Sequence, residues 1–226
     1  MMISPESYYE EYLKGKTKEQ IVTAIRGLKQ EIGRQKNSME NPHGGIKTVM
    51  HPSEDTRLHW NREYLERAKE AYAEAGGTYT LSKSEEKAAE FEANIDAISK
   101  ITFSIGGYFG GYSNYVVELT DELKAYTKLW EDEEPLSLWV EDNQEPCTKD
   151  TFIVALKDLH IGEWRRRYST KRFGYMVLDG TQWELEFEYS NGHKPVRFDG
   201  DNSYPCNFDK FQILFGIDVT GEDEDE

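Results

Sequence analysis

The spacing of apolar residues changes from a helical period to a strand period near residue 98. Within residues 21–32 the apolar positions recur every three or four residues, as on one face of a helix. Within residues 183–189 they alternate with glutamates, as on a strand with one face in water. A sheet solvated on one face needs helices on the other. The pattern therefore predicts an α+β protein with an N-terminal helical region and an antiparallel sheet.

The first region, residues 1–77, is predicted to form an antiparallel helical hairpin. Thr17 opens a capping box, and Ser53 caps a second helix that ends at a pair of glycines. A turn-rich stretch at 41–45 separates the two helices. Such an arm could also hold two copies of the chain together, so a homodimer through this hairpin is one expectation.

A short motif occurs twice in the remainder of the chain and contains its two cysteines. Residues 146–152 read Pro-Cys-Thr-Lys-Asp-Thr-Phe, and residues 205–211 read Pro-Cys-Asn-Phe-Asp-Lys-Phe. Each copy follows alternating strands and opens a helical pattern, which predicts two β-β-β-α units at about 98–161 and 173–217. These units fill an α+β domain at 78–221, followed by an acidic tail at 222–226. The parts of the motif all suit a helix start, and Asn207 is the expected cap of the second helix. The motif therefore indicates structure rather than a paired active site.

The negative charge is confined to the second part of the chain. Residues 1–76 hold 12 basic and 12 acidic side chains, whereas residues 77–226 hold 15 basic and 31 acidic ones. Such a surface repels phosphate, so direct nucleic-acid binding is disfavoured and a basic protein surface is the expected partner. Solubility alone is the competing explanation. With neither a signal peptide nor a long apolar run, we expect a cytoplasmic protein without membrane contact.

Two acidic groups are the first candidates for an interaction surface. One lies on alternate positions of the predicted strand, and the other lies in a predicted loop that precedes a short predicted strand at 136–140: Glu184, Glu186 and Glu188, and Glu131, Asp132, Glu133 and Glu134. Alternate strand residues lie about 6.6 Å apart, so the first group forms a line of carboxylates. An ordinary solvated sheet face, partly neutralised by Arg197 on the next strand, is the alternative.

A basic and aromatic segment is the second candidate. It comprises Trp164, Arg165, Arg166, Arg167, Lys171 and Arg172. Cations interleaved with aromatic rings can bind phosphate or stack on bases. Internal pairing with the many acids of the same domain is the competing interpretation.

Three stretches of the second part resemble a domain that recurs in uncharacterised proteins of clostridial gut bacteria and their mobile elements. They are residues 161–168 (IGEWRRRY), 178–192 (LDGTQWELEFEYSNG) and 202–211 (NSYPCNFDKF), within a resemblance that covers about 98–217. The resemblance implies an intracellular bacterial protein. It brings no assigned activity, so no functional residues follow from it.

The sequence favours a non-enzymatic interaction protein over two alternatives. In its sharpest form, the protein inhibits a partner by occupying a basic nucleic-acid-binding surface, as antirestriction and anti-CRISPR proteins do. One alternative is a hydrolase or nuclease that holds a metal through Asp179, Asp199 or Asp201 in predicted turns. The other is a structural, oligomerising protein. Common catalytic, cofactor and metal motifs are missing from the sequence, so we predict no catalytic residues, cofactor or metal site.

Overall fold

A computed structural model describes residues 2–41, 51–107, 110–129, 132–138, 147–177 and 179–217. The chain divides into two compact units, Met1–Leu81 and Ser82–Glu226. The sequence-based boundary was placed at residue 77. The two units are called the helical unit and the sheet unit below.

The helical unit contains two long helices that pack along each other. A short helix α1 (Pro5–Tyr8) continues as a π-helix (Tyr9–Leu13) and precedes α2 (Lys18–Glu40) and α3 (Glu54–Glu74). The Thr17 capping box forms as predicted, and Ser53 caps α3 through its side chain. The residues that share the helical period form the core of this unit: Leu13, Ile21, Ile25, Leu28, Tyr64, Leu65, Ala68 and Ala71.

Within the described residues, the sheet unit contains one seven-stranded sheet. Its strands are β1 (Ile98–Gly107), β2 (Gly111–Leu119), β3 (Leu123–Leu129), β4 (Asp132–Pro135), β5 (Arg167–Ser169), β6 (Gln182–Tyr189) and β7 (Val196–Asp201). Their spatial order is β4-β3-β2-β1-β6-β7-β5. Only β5 and β7 run parallel among these neighbours, because the other pairs are antiparallel. The α+β prediction is therefore confirmed.

The core lies between one face of this sheet and three helices. These are α4 (Lys83–Asn94), α5 (Lys149–Asp158) and α6 (Phe208–Leu214). The register places Phe103 opposite Leu185 and Leu185 opposite Phe198, so the apolar positions of three strands share a face. The helices contribute buried aromatic side chains to the same cluster, including Phe91, Phe152 and Phe211. Each such ring stabilises the fold by about 1.5–3 kcal/mol through burial.

Two local predictions in the sheet unit were wrong. The acidic residues 131–134 were expected in a loop, but Asp132–Pro135 pairs with β3 as an edge strand. A strand was expected at residues 136–140, but 136–138 form no strand and 139–140 lie outside the described residues. Acidic residues disfavour strands in general, yet an edge position tolerates them because both faces reach water.

Asn207 was expected to cap α6, and its side chain does not do so. Its Oδ1 accepts a hydrogen bond from Trp164 Nε1 at 3.0 Å, and its Nδ2 donates to the Leu159 carbonyl at 2.7 Å. The Asn207 side chain therefore ties the start of α6 to the segment that follows α5.

Candidate interaction surface

The sheet face opposite the core presents the predicted row of glutamates. The strand period of two directs Trp183, Leu185 and Phe187 into the core, so the intervening glutamates face outward. On the neighbouring strand β1, Ser104 lies opposite Glu184, Thr102 lies opposite Glu186, and Lys100 lies opposite Glu188.

Two of the three glutamates have a cation beside them. Arg197 Nε and Nη2 lie 2.8 and 2.7 Å from Glu186 Oε1, and this hydrogen bond raises the pKa of Arg197. Lys100 Nζ lies 4.0 Å from Glu188 Oε1. The line of carboxylates is thus partly neutralised, and such exposed pairs contribute about 0–1 kcal/mol each to stability.

Glu184 lies at the more negative end of the row. Its cross-strand neighbour on β7 is Asp199, and like charges opposite one another destabilise a strand pair by up to about 1 kcal/mol. Arg167 Nε offsets part of this repulsion from 3.3 Å of Asp199 Oδ2. The Glu184 carboxylate is exposed, so its charge is available to a partner.

The second acidic group forms one edge of the sheet. All four residues of β4 are exposed, and three of them are consecutive carboxylates, Asp132, Glu133 and Glu134. Among the described residues β4 has a hydrogen-bonded neighbour on one side only, namely β3. Glu133 also contributes to raising the pKa of Tyr126, after burial and the Tyr126–Glu118 hydrogen bond of 3.1 Å. The β4 edge therefore combines concentrated negative charge with an open backbone.

Part of the acidic charge falls outside the described residues. Glu131 and the tail at 222–226 belong to that part, so their predicted roles are untested by the structure. The described residues of the sheet unit carry 21 acidic side chains against 15 basic ones. Ten carboxylates of the chain's second part thus lie in segments without a structural description.

The basic segment lies at the opposite edge of the sheet, on and around β5. Arg165, Arg166, Arg167, Lys171 and Arg172 are all exposed. The Arg166 guanidinium lies 4.6 Å from the Phe198 ring centroid, where partial burial lowers the pKa of Arg166. Arg172 lies 4.7 Å from the Phe173 ring centroid. Of the acidic partners that the internal-pairing alternative expects, the structure shows Asp199, which lies beside Arg167.

Trp164 does not belong to that surface. Its side chain is 6% exposed and contacts the rings of Trp183, Phe198 and Phe211 in the core. Its one polar atom, Nε1, is satisfied by Asn207. A side chain so enclosed cannot stack on a base, so its predicted place in a basic and aromatic binding site was wrong.

The structure gives no support to the alternative metal site. Asp199 and Asp201 were expected in turns, but both belong to β7, where Arg166 accepts a hydrogen bond from the Asp199 amide. Among the described residues, no three His, Cys, Asp or Glu side chains are grouped so that they could hold a metal ion.

A cluster that the sequence did not reveal joins α4 to the end of β6. His193 Nε2 lies 3.1 Å from Glu90 Oε1, and the His193 ring contacts Tyr189 at 4.7 Å between centroids. The Tyr189 hydroxyl is buried without a hydrogen-bond partner among the described residues, and burial raises its pKa to about 12. Glu90 and His193 are 103 positions apart in the chain, so only the folded structure brings them together.

Comparison with protein-family models, curated proteins and solved structures yields no match. The resemblance to the clostridial domain therefore stays a prediction. In the described part of the chain, no helix combines the length and the apolar character that crossing a membrane requires.

Proposed function

We propose that this protein is a non-enzymatic interaction protein whose acidic sheet unit docks on a basic surface of another protein. The observation that carries the proposal is the β4 edge, where three consecutive carboxylates are exposed. An edge strand can bind a partner through both its charges and its unpaired backbone groups. The exposed Glu184 is a further carboxylate on the outer face of the same sheet, four strands along from β4.

The partner class follows from charge complementarity. A basic surface that attracts these carboxylates is typical of proteins that bind nucleic acids. In the sharpest form of the proposal, the protein competes with nucleic acid for that surface and inhibits its partner, as antirestriction and anti-CRISPR proteins do. Edge carboxylates also protect a sheet from pairing with other strands, so the experiment must separate binding from protection.

The test compares two variants that each replace three carboxylates by neutral amides, so that both change the net charge by the same amount. The wild-type protein and the triple variant D132N/E133Q/E134Q are immobilised and exposed to a bacterial lysate at about 50 mM and about 500 mM salt. The control variant E66Q/E70Q/E74Q removes three charges from α3 in the helical unit. Captured proteins are then purified and assayed for displacement of a labelled DNA duplex by each variant.

The proposal predicts that wild type and control capture a nucleic-acid-binding protein at low salt and release it at high salt. The β4 variant should not capture this protein. In the displacement assay, wild type and control compete with the duplex and the β4 variant does not. Equal capture by all three proteins, or capture without competition against the duplex, would refute it.

A further inference from the structure

A groove in the helical unit has the chemistry of a small-ligand site. It lies between α2, the end of α3 and the segment that follows α3, and its volume is about 280 Å³. Its polar lining consists of Arg26, Lys29, Tyr72, Thr78, Tyr79 and Thr80. This set contains two cations, two threonines and two tyrosines, and it contains no carboxylate.

The outer wall of the groove is held in place by contacts to both helices. The Gly77 amide donates to the Tyr72 carbonyl at 2.8 Å, and Lys18 Nζ donates to the Gly76 carbonyl at 3.4 Å. A Cβ on Gly77 would lie 2.4 Å from the Tyr72 ring, so a larger residue at this position would displace that ring. The wall is therefore fixed before any ligand binds, which lowers the entropic cost of binding.

Positive charge gathers on one side of the groove around Tyr79. Lys29 Nζ donates to the Tyr79 hydroxyl at 3.1 Å, and Lys69 Nζ lies 5.2 Å from the centroid of the same ring. Lys69 is also bridged to Glu66 at 2.8 Å. Among the described residues Arg26 has no ion-pair or hydrogen-bond partner, and its side chain is exposed at the groove. Arg26 is thus the cation whose charge a ligand can satisfy.

We infer that this groove binds a small oxyanion, a carboxylate or a phosphate, that carries one compact apolar group. The planar guanidinium of Arg26 can bind two oxygens of such an anion, and the Lys29 ammonium lies on the same lining. Val22, the buried Ile25 and Tyr72 supply an apolar surface for the attached group. The volume is close to the lower limit of ligand pockets, about 300 Å³, so one ring and one anionic group fill it.

This site is independent of the proposed docking surface, because it lies in the helical unit and uses none of the carboxylates of the sheet unit. The test titrates the full-length ¹⁵N-labelled protein with phenyl phosphate, benzoate and inorganic phosphate, each to about 20 mM, and follows the amide shifts of Thr78 and Thr80. The variant R26Q removes the unpaired charge. The control R34Q removes an arginine that is 74% exposed and bridged to Glu31.

We expect saturable shifts with phenyl phosphate or benzoate, with a dissociation constant of about 1–10 mM. R26Q should weaken binding at least about fivefold while R34Q stays within about twofold. The tighter of the two aromatic anions identifies the headgroup as phosphate or carboxylate. The inference is overturned by non-saturating shifts, by equal weakening in R34Q, or by inorganic phosphate binding as tightly as both aromatic anions.

Discussion

Replacing Trp164 tests whether this residue serves the core or a ligand surface. The Trp164 ring centroid lies 5.6–6.3 Å from those of Trp183, Phe198 and Phe211, and Nε1 is bonded to Asn207. Trp164→Ala removes these contacts and leaves a cavity. Trp164→Phe retains an aromatic ring but removes the hydrogen bond.

The magnitude follows from the buried area. A tryptophan buries about 150–250 Å², which at about 25 cal/mol per Å² corresponds to about 4–6 kcal/mol. Measured truncations of buried aromatic residues cost about 3–5 kcal/mol, and we expect that range for Trp164→Ala. Trp164→Phe should cost about 1–3 kcal/mol, since the Asn207 oxygen loses its donor and part of the indole volume is lost.

The assay is urea unfolding followed by far-UV circular dichroism, which does not depend on the tryptophan removed. The controls are Arg165→Ala and Arg167→Ala, which should each stay within about 0.5 kcal/mol because exposed charges contribute little. A Trp164→Ala protein as stable as these controls would contradict the assignment of Trp164 to the core.

Three further predictions concern backbone space, ionisation and capping. Gly200→Ala should destabilise the sheet unit by about 1–3 kcal/mol, because its Cβ would lie 2.1 Å from Trp183 Nε1. Gly110→Ala, whose Cβ would meet no described atom within 4 Å, should change stability by at most about 0.5 kcal/mol in the same urea assay. The pKa of Tyr189 is about 12 in the folded protein, so as pH rises the unfolded chain loses the Tyr189 hydroxyl proton first. The stability contributed by the protonated hydroxyl is therefore complete below pH 10 and is lost towards pH 12. Tyr189→Phe should therefore lose less stability than wild type between about pH 9 and about pH 11.5, and equal losses would refute the shift. Ser82→Ala should cost about 1 kcal/mol by removing the α4 capping box, and thermal unfolding that leaves the midpoint unchanged would exclude that contribution.

Local periodicity was sufficient to predict the fold class and much of the core. The alternation from Trp183 to Tyr189 sets which side chains are buried, because a strand has only two faces. The spacing in α2 worked in the same way for Ile21, Ile25 and Leu28, all of which are buried. In both segments a single short-range rule decides burial.

The errors arose where long-range contacts decide. The sequence neighbours of Trp164 are arginines, which suggested a surface, but its spatial neighbours are aromatic rings from β6, β7 and α6. Asp132–Pro135 becomes a strand through its register with β3, a pairing that its own composition disfavours. The groove beside Arg26 forms because residues 78–80, which follow α3, lie against α2 and α3. The spacing of apolar residues in the sequence does not indicate this contact.

The central pairing of β1 with β6 makes the two halves of the sheet unit depend on each other. Phe103 pairs with Leu185 across about eighty residues of intervening chain, so we expect this ladder to close late and slowly during folding. Until β6 has been synthesised, β1 is an edge strand whose apolar face lacks part of its cover. During translation the first half alone is therefore prone to aggregate, and cutting the chain between α5 and β5 should give fragments that become soluble only when combined.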